Sequence, residues 1–206
     1  MQLLRRSWQI SWGDTGFKKK MIAGSITLVL IFLTFPSFFR YIEKRDGAVL
    51  NDWILACLPA IDVSIPIMIG IWGVLLLFVI RATGRPRMFL TFVTAYILLC
   101  VSRCLTIYLV PLSPPVNMIA LTDPLTSVFY GGQSISKDLF YSGHTSLLAL
   151  VYFCSVKKPD RLLAGICTVL VGILLLVQHV HYTTDVVFAP LFAWMAHTLA
   201  NKWVDL

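Results

Sequence analysis

Six stretches of the chain, near residues 21–39, 64–80, 88–110, 143–156, 161–178 and 184–200, are mainly apolar and are separated by polar boundaries. Crossing the hydrocarbon core of a bilayer takes roughly 20 such residues in a helix, and most of the six approach that length. The fourth is short, with room to extend backward through Tyr141. The pattern predicts an all-α integral membrane protein: a six-transmembrane-helix bundle over residues 21–206, preceded by an N-terminal segment, 1–20. No internal repeat or low-complexity linker interrupts it.

Composition sharpens this reading. Of 206 residues, 58% are hydrophobic and 13% charged, whereas a soluble domain carries about 25% charged residues. An ordinary soluble domain is excluded, and none fits between the spans. The five cysteines, Cys57, Cys100, Cys104, Cys154 and Cys167, lie mostly inside apolar stretches with no C-x-x-C pair, so they read as small core residues. The run beginning near Met21 is too long for a cleavable signal and no small-residue cleavage site follows it.

Charge placement gives an orientation. Arg5, Arg6, Lys18, Lys19 and Lys20 precede the first predicted span; Arg81, Arg85 and Arg87 lie in the second-to-third turn, and Lys157, Lys158 and Arg161 in the fourth-to-fifth. With six spans these segments and the C-terminus with Lys202 share one side, which the positive-inside rule makes cytoplasmic, placing both termini there. The first outer loop carries Arg40, Lys44 and Arg45 against Glu43, Asp46, Asp52 and Asp62. Trp8 and Trp12 read either as anchors of an interfacial helix on the cytoplasmic surface or as aromatics on a loose tail.

The same orientation puts Asp138, His144, His179, His181 and Asp185 together at the exoplasmic boundary. In "HVHYTTDVV" (179–187), His181 and Asp185 are four apart and, with the sixth helix beginning near His181, are expected to share a helical face, where a carboxylate fixes the tautomer of an imidazole. Such a pair serves a nucleophile or base, or simply caps a helix. Tyr182, inside that motif, is a further supporting candidate.

Ser142, Gly143 and His144 are predicted to start the fourth helix, where backbone N–H groups and the dipole attract an anion and glycine lets it approach closely. A phosphate there has His144 beside it; the alternative is a serine N-cap followed by an interfacial histidine. Arg103, about two turns inside the third span, is expensive unless it faces protein, water or an anion. It reads as a phosphate ligand or as an ion-pair partner of Asp138, Asp185 or Asp62. Asp62 reads as a helix cap, and His197 as a hydrogen-bonded packing residue. His179, His181 and His144 with an aspartate also make a conceivable zinc set; Arg103 and the anion-attracting helix start favour phosphate instead, so no metal or other cofactor is expected, nor any nucleic acid.

The run "SKDLFYSGHT", followed about 35 residues later by "HVHYTTDVV", resembles the sphingomyelin synthase family, a branch of the type 2 phosphatidic acid phosphatase superfamily. "RCLTIYLVPL" looks like that family's arginine-containing third-span motif and "LPAIDVS" is a weaker match to its first motif; the similarity runs from about residue 50 onward. The resemblance implies six spans, cytoplasmic termini and an exoplasmic site. It also implies metal-independent transfer of a phosphorylated head group from a phospholipid donor to a lipid alcohol such as ceramide or diacylglycerol. His181 then matches the nucleophile, Asp185 its orienting acid, and His144 the histidine serving the leaving group. Asp138 matches an acidic position before SGHT, and His179 the first histidine of the paired motif. Departures stand at Val180, where an Asp is usual, and at Ser136-Lys137, which replace a Cys-Gly pair. The same residues with water as acceptor give a lipid phosphatase or phospholipase C-like hydrolase, and a non-enzymatic membrane scaffold is a second alternative. Short loops point to a bacterial inner membrane.

Overall fold

The computed structural model describes residues 2–122 and 135–205; Arg5 and Arg6 lie outside those whose side chains it describes. The helices are α1 (Gln2–Gly13), α2 (Thr15–Glu43), the short α3 (Trp53–Ala56), α4 (Ser64–Ala82), α5 (Pro86–Leu109), α6 (Gly143–Cys154), α7 (Lys158–Val177) and α8 (Thr183–Asp205). Among the described residues, β structure amounts to one parallel bridge between Ala48 and Leu112. All six predicted apolar stretches are helical. The first begins earlier than the hydropathy pattern suggests, because Asp14 adopts an extended N-cap conformation and its Oδ1 accepts from Gly16 N at 2.8 Å. Lys18 to Lys20 therefore ride on the first turns of α2, and Lys20 Nζ donates to the Trp203 carbonyl at 2.8 Å.

Side-chain bridges define two ends of the bundle. At one, Trp8 Nε1 donates to the Thr83 carbonyl at 2.7 Å, and Arg81 grips Asp160 through Nε at 2.8 Å and Nη2 at 3.2 Å. Arg87 also meets Asp205 at 2.8 Å. At the other end, Arg45 donates to the carbonyls of Ile107 and Tyr108, Ile61 N to the Val177 carbonyl, and Thr183 N to Asp52. Helices α2, α4, α5, α6, α7 and α8 thus alternate in direction between a basic end and the end that holds the histidine motifs. α1 is a docked helix rather than a loose tail: Trp8 packs edge-on against Phe17 and Phe89 over a cluster with Met21, Leu90 and Val204.

Four of the six, α2, α4, α5 and α7, are long and apolar enough to cross a membrane by themselves. Helix α6, with 12 residues, extends only about 18 Å against a hydrocarbon core of about 30 Å. It is instead the interior of the bundle, with Leu148, Ala149, Leu150 and Val151 all buried. Helix α8 has the length, 23 residues, but Asp185, Pro190 and His197 dilute its apolar character. Its outward face is still apolar, with Val187, Leu191, Trp194 and Leu199 exposed, while Ala189, Ala193, Ala196 and Ala200 form a buried stripe of small residues that admits α5 and α6 closely. Exposed Leu33, Ile69, Leu76 and Val169 continue the apolar exterior on α2, α4 and α7, as befits an integral membrane protein.

Candidate active site

The site is built where α6 and α8 begin. Helix α7 ends at Gln178, and the chain reverses within 178–182 through a Schellman arrangement: Val180 N bonds the Leu175 carbonyl and His179 N the Leu176 carbonyl, both at 3.0 Å. The residue in the left-handed conformation there is His179, with φ 55°, where glycine is usual. Its imidazole accounts for the choice. Nδ1 lies 3.0 Å from the Val116 carbonyl and Nε2 3.2 Å from the Leu58 carbonyl, clamping two neighbouring loops to the turn. Gln178, fully buried, adds to the clamp: Oε1 accepts from Val63 N at 3.1 Å and Nε2 donates to Ser64 Oγ at 2.9 Å.

The reversal delivers His181 and Asp185, buried and facing each other, with Nδ1 3.3 Å from Oδ2. Asp185 stands third in α8 and its Oδ2 also accepts from Tyr182 N at 3.2 Å, half of a capping box that fixes the carboxylate. Its Oδ1 has no hydrogen-bond partner among the described residues. With Nδ1–H turned to the carboxylate, His181 keeps the lone pair on Nε2. The Tyr182 hydroxyl points the other way: it donates to the Ser113 carbonyl at 2.9 Å and accepts from Leu50 N at 3.1 Å. Burial pushes this phenol upward, against the Leu50 hydrogen bond.

Helix α6 starts with Ser142 as its N-cap, Oγ accepting from Thr145 N at 3.3 Å and Thr145 Oγ1 at 3.1 Å. The Ser142 N–H donates to the Asp185 carbonyl at 3.0 Å, so the two motifs are bonded directly. Beneath them Gly172 of α7 gives both helices room: a Cβ there would lie 2.8 Å from Val186 Cγ1 and 3.9 Å from Thr145. His144, one turn-residue beyond Gly143, is half-buried. Phe140 turns the chain into this helix at φ 110°, an outlier for a bulky residue.

Arg103 comes up against the same helix start from α5. A Cβ at Gly143 would overlap its guanidinium, so only glycine leaves the space. Counting from Leu109, the end of α5, Arg103 is recessed by about 9 Å. It pairs with Asp138, of the three carboxylates open to it in the sequence, and its Cζ lies 5.9 Å from the Tyr141 ring centroid. Tyr141 is buried, stacked on Phe192 at 4.2 Å, with its hydroxyl on the Leu99 carbonyl at 2.9 Å.

Asp138 is held from behind by Glu43, whose carboxylate accepts from Ser136 N at 2.6 Å, Ser136 Oγ at 2.9 Å and Lys137 N at 2.8 Å; Lys137 Nζ reaches the Arg45 carbonyl. The Ser-Lys pair is thus the complement of a glutamate at the end of α2. Ser142, Gly143, Arg103, Asp138, His181 and Asp185 are brought into one assembly, while His179 and Tyr182 face the loops that carry Leu50, Leu58, Ser113 and Val116. Asp62 stands one residue before Val63, the N-cap of α4, and binds the first residue of that helix, Oδ1 accepting from Ser64 Oγ at 2.7 Å and N at 3.0 Å, which hold its carboxyl below the usual range. His197 sits apart, 3.1 Å from Asn201 Nδ2. Among the described residues no group of three His, Cys, Asp or Glu side chains forms a metal-ligand set.

Asp52, Glu43 and Tyr141 were not legible as site residues in the sequence. Each acts through a bond to a distant segment, 131 residues away for Asp52 and Thr183, and only the aspartate's place before "WIL" hints at a cap.

The family model described as PAP2 superfamily C-terminal matches residues 137–202, the part of this helical bundle in which the SGHT and HYTTD motifs meet. The chain is also similar to phosphatidylcholine:ceramide cholinephosphotransferase 1, at 42% identity over 84 residues of the Homo sapiens protein, covering 36% of this chain and 20% of that one. The Gallus gallus protein of the same name is 32% identical over 167 residues, covering 67% of this chain and 39% of the relative. The matches thus span well under half the length of these curated relatives. The resemblance to the sphingomyelin synthase family carried by the two histidine motifs holds.

Proposed function

We propose that this chain is a phospholipid head-group phosphotransferase with six membrane-crossing helices, both termini cytoplasmic and the site on the exoplasmic side. The observation that carries the reading is the bond from Ser142 N to the Asp185 carbonyl, which puts the His144 helix start and the His181–Asp185 pair into one unit beside Arg103. His181 Nε2 attacks the phosphorus of the donor, and the bond to the diacylglycerol oxygen breaks as His144 supplies its proton. A lipid alcohol then attacks the phosphohistidine, giving its proton to His144 as the P–N bond breaks. Arg103 and the start of α6 at Ser142 and Gly143 hold the phosphoryl oxygens, with no metal required. Asp185 orients His181, Asp138 orients Arg103, and His179 and Tyr182 support the turn from the loop side.

The six-span arrangement rests on the alternation of the helices and on aromatic side chains at both ends: Trp8 and Trp203 at the basic end, Tyr41 and Tyr108 around Arg45 at the other. Reconstitution with head-group-labelled phosphatidylcholine, with and without ceramide or diacylglycerol, tests the function. Label moving to the added alcohol is expected; water-soluble label released without an acceptor would assign hydrolysis instead, and parental turnover by His181→Ala would overturn the mechanism.

A further inference from the structure

We infer that Asp52 is a positioning residue for the His181–Asp185 pair, capping the helix that carries Asp185 and so leaving Asp185 free to face His181. This rests on the function proposed above. As the N-cap of α3, Asp52 needs only the bonds its Oδ1 makes to Ile54 N at 3.1 Å and Leu55 N at 3.3 Å. It makes two more, across 131 residues: Oδ2 accepts from Thr183 N at 2.6 Å and Oδ1 from Thr183 Oγ1 at 3.0 Å. Thr183 is the first residue of α8 and lies between His181 and Asp185 in the chain.

Two carboxylates therefore divide the exposed amides at the start of α8. Asp185 takes Tyr182 N, and Asp52 takes Thr183 N. Without Asp52 the Thr183 amide loses its acceptor at a helix end where the dipole draws negative charge. The nearest substitute on the same turn is Asp185, whose Oδ1 is unengaged among the described residues and whose bond to His181, at 3.3 Å, is the longest of its contacts. Asp185 would then turn from imidazole to backbone. The segment bearing Asp52 is itself fixed, by Leu50 N on the Tyr182 hydroxyl and by the Ala48–Leu112 bridge, so the cap is delivered from a rigid support.

The test uses the full chain as Asp52→Ala, Asp52→Asn and Thr183→Val, with two readouts: amide hydrogen exchange over 182–186, and kcat and KM for head-group transfer. In Asp52→Ala exchange is expected to rise about tenfold, the size of a lost cap, and in Thr183→Val, which loses the hydroxyl bond but keeps the amide, by a smaller factor. Turnover is expected to fall at least about tenfold with KM within about twofold, the mark of an interaction felt in the transition state. Asp52→Asn, which keeps an oxygen acceptor for Thr183 N, restores much of the exchange protection. Unchanged exchange in Asp52→Ala overturns the inference, as does raised exchange with parental kcat. Should Asp52→Ala fail to fold, Thr183→Val and Asp52→Asn decide by the same readouts. Failure of the functional reading shows separately, as parental turnover by His181→Ala.

Discussion

The Ser142 N–H donates to the carbonyl of Asp185 at 3.0 Å, joining the first turn of one helix to the first turn of another. Two N-terminal dipole ends thereby converge, and the residues beside them, His144 and His181, inherit a fixed relation through backbone rather than through flexible side chains. His181→Ala is accordingly expected to lower transfer by a factor on the order of 10³ or more, and His144→Ala and Asp185→Asn by roughly 10² or more. Initial rates with a labelled donor check all three.

Gly143 and Arg103 form the second relation on which the site depends. A methyl group at Gly143 would occupy the position of the guanidinium, forcing Arg103 away from the helix start. Gly143→Ala should reduce kcat/KM by about 10²-fold, the usual consequence of removing one donor to a developing phosphoryl charge. If it acts through Arg103, Gly143→Ala and Arg103→Ala are strongly non-additive, and the double variant is little worse than Arg103→Ala alone.

The helices and the two histidine motifs were legible in the sequence because both are local signals. Apolar runs mark helices, and the spacing pairs His181 with Asp185, although α8 begins only at Thr183 and His181 stands in the turn before it rather than on a shared helical face. What sequence could not reveal were bonds between remote segments. Glu43 looked like one charge in a mixed loop, yet it organises Ser136 and Lys137 behind Asp138. His179 looked like a third member of the histidine group, but its φ of 55° and two carbonyl contacts turn it to the loops. The start of α2 was missed because three lysines read as a polar boundary, whereas Asp14 capping continues the helix through them.

The Asp52 bridge carries a pH signature. Burial, the largest single influence, raises its carboxyl, but the bonds from Thr183, Leu55 and Ile54 together hold it below the ordinary 3.8. A depressed folded-state value means that its stabilisation is present above the unfolded pKa and disappears as pH falls through the lower, folded one. Asp52→Asn, which keeps the oxygen acceptor but loses the charge, should therefore unfold at a slightly lower temperature than the parent at neutral pH, whereas Asp52→Ala, which loses the cap, should cost about 1 kcal/mol. The gap should close only below the ordinary carboxylate range. Thermal unfolding in detergent across acidic to neutral pH measures it.

Orientation is open to a direct test through Cys57, which is exposed at the C-cap of α3 on the histidine-motif side, while Cys100 and Cys154 are buried. In the proposed arrangement a membrane-impermeant thiol reagent added from the exoplasmic side of intact cells or right-side-out vesicles labels Cys57. A cysteine introduced at Gln9, exposed on α1 at the basic end, is labelled only after the membrane is opened. The parent's other cysteines are replaced by alanine so that one thiol reports at a time. Because six crossings put these ends on opposite faces, labelling of both positions from the same side would exclude the six-span arrangement, and with it an exoplasmic site.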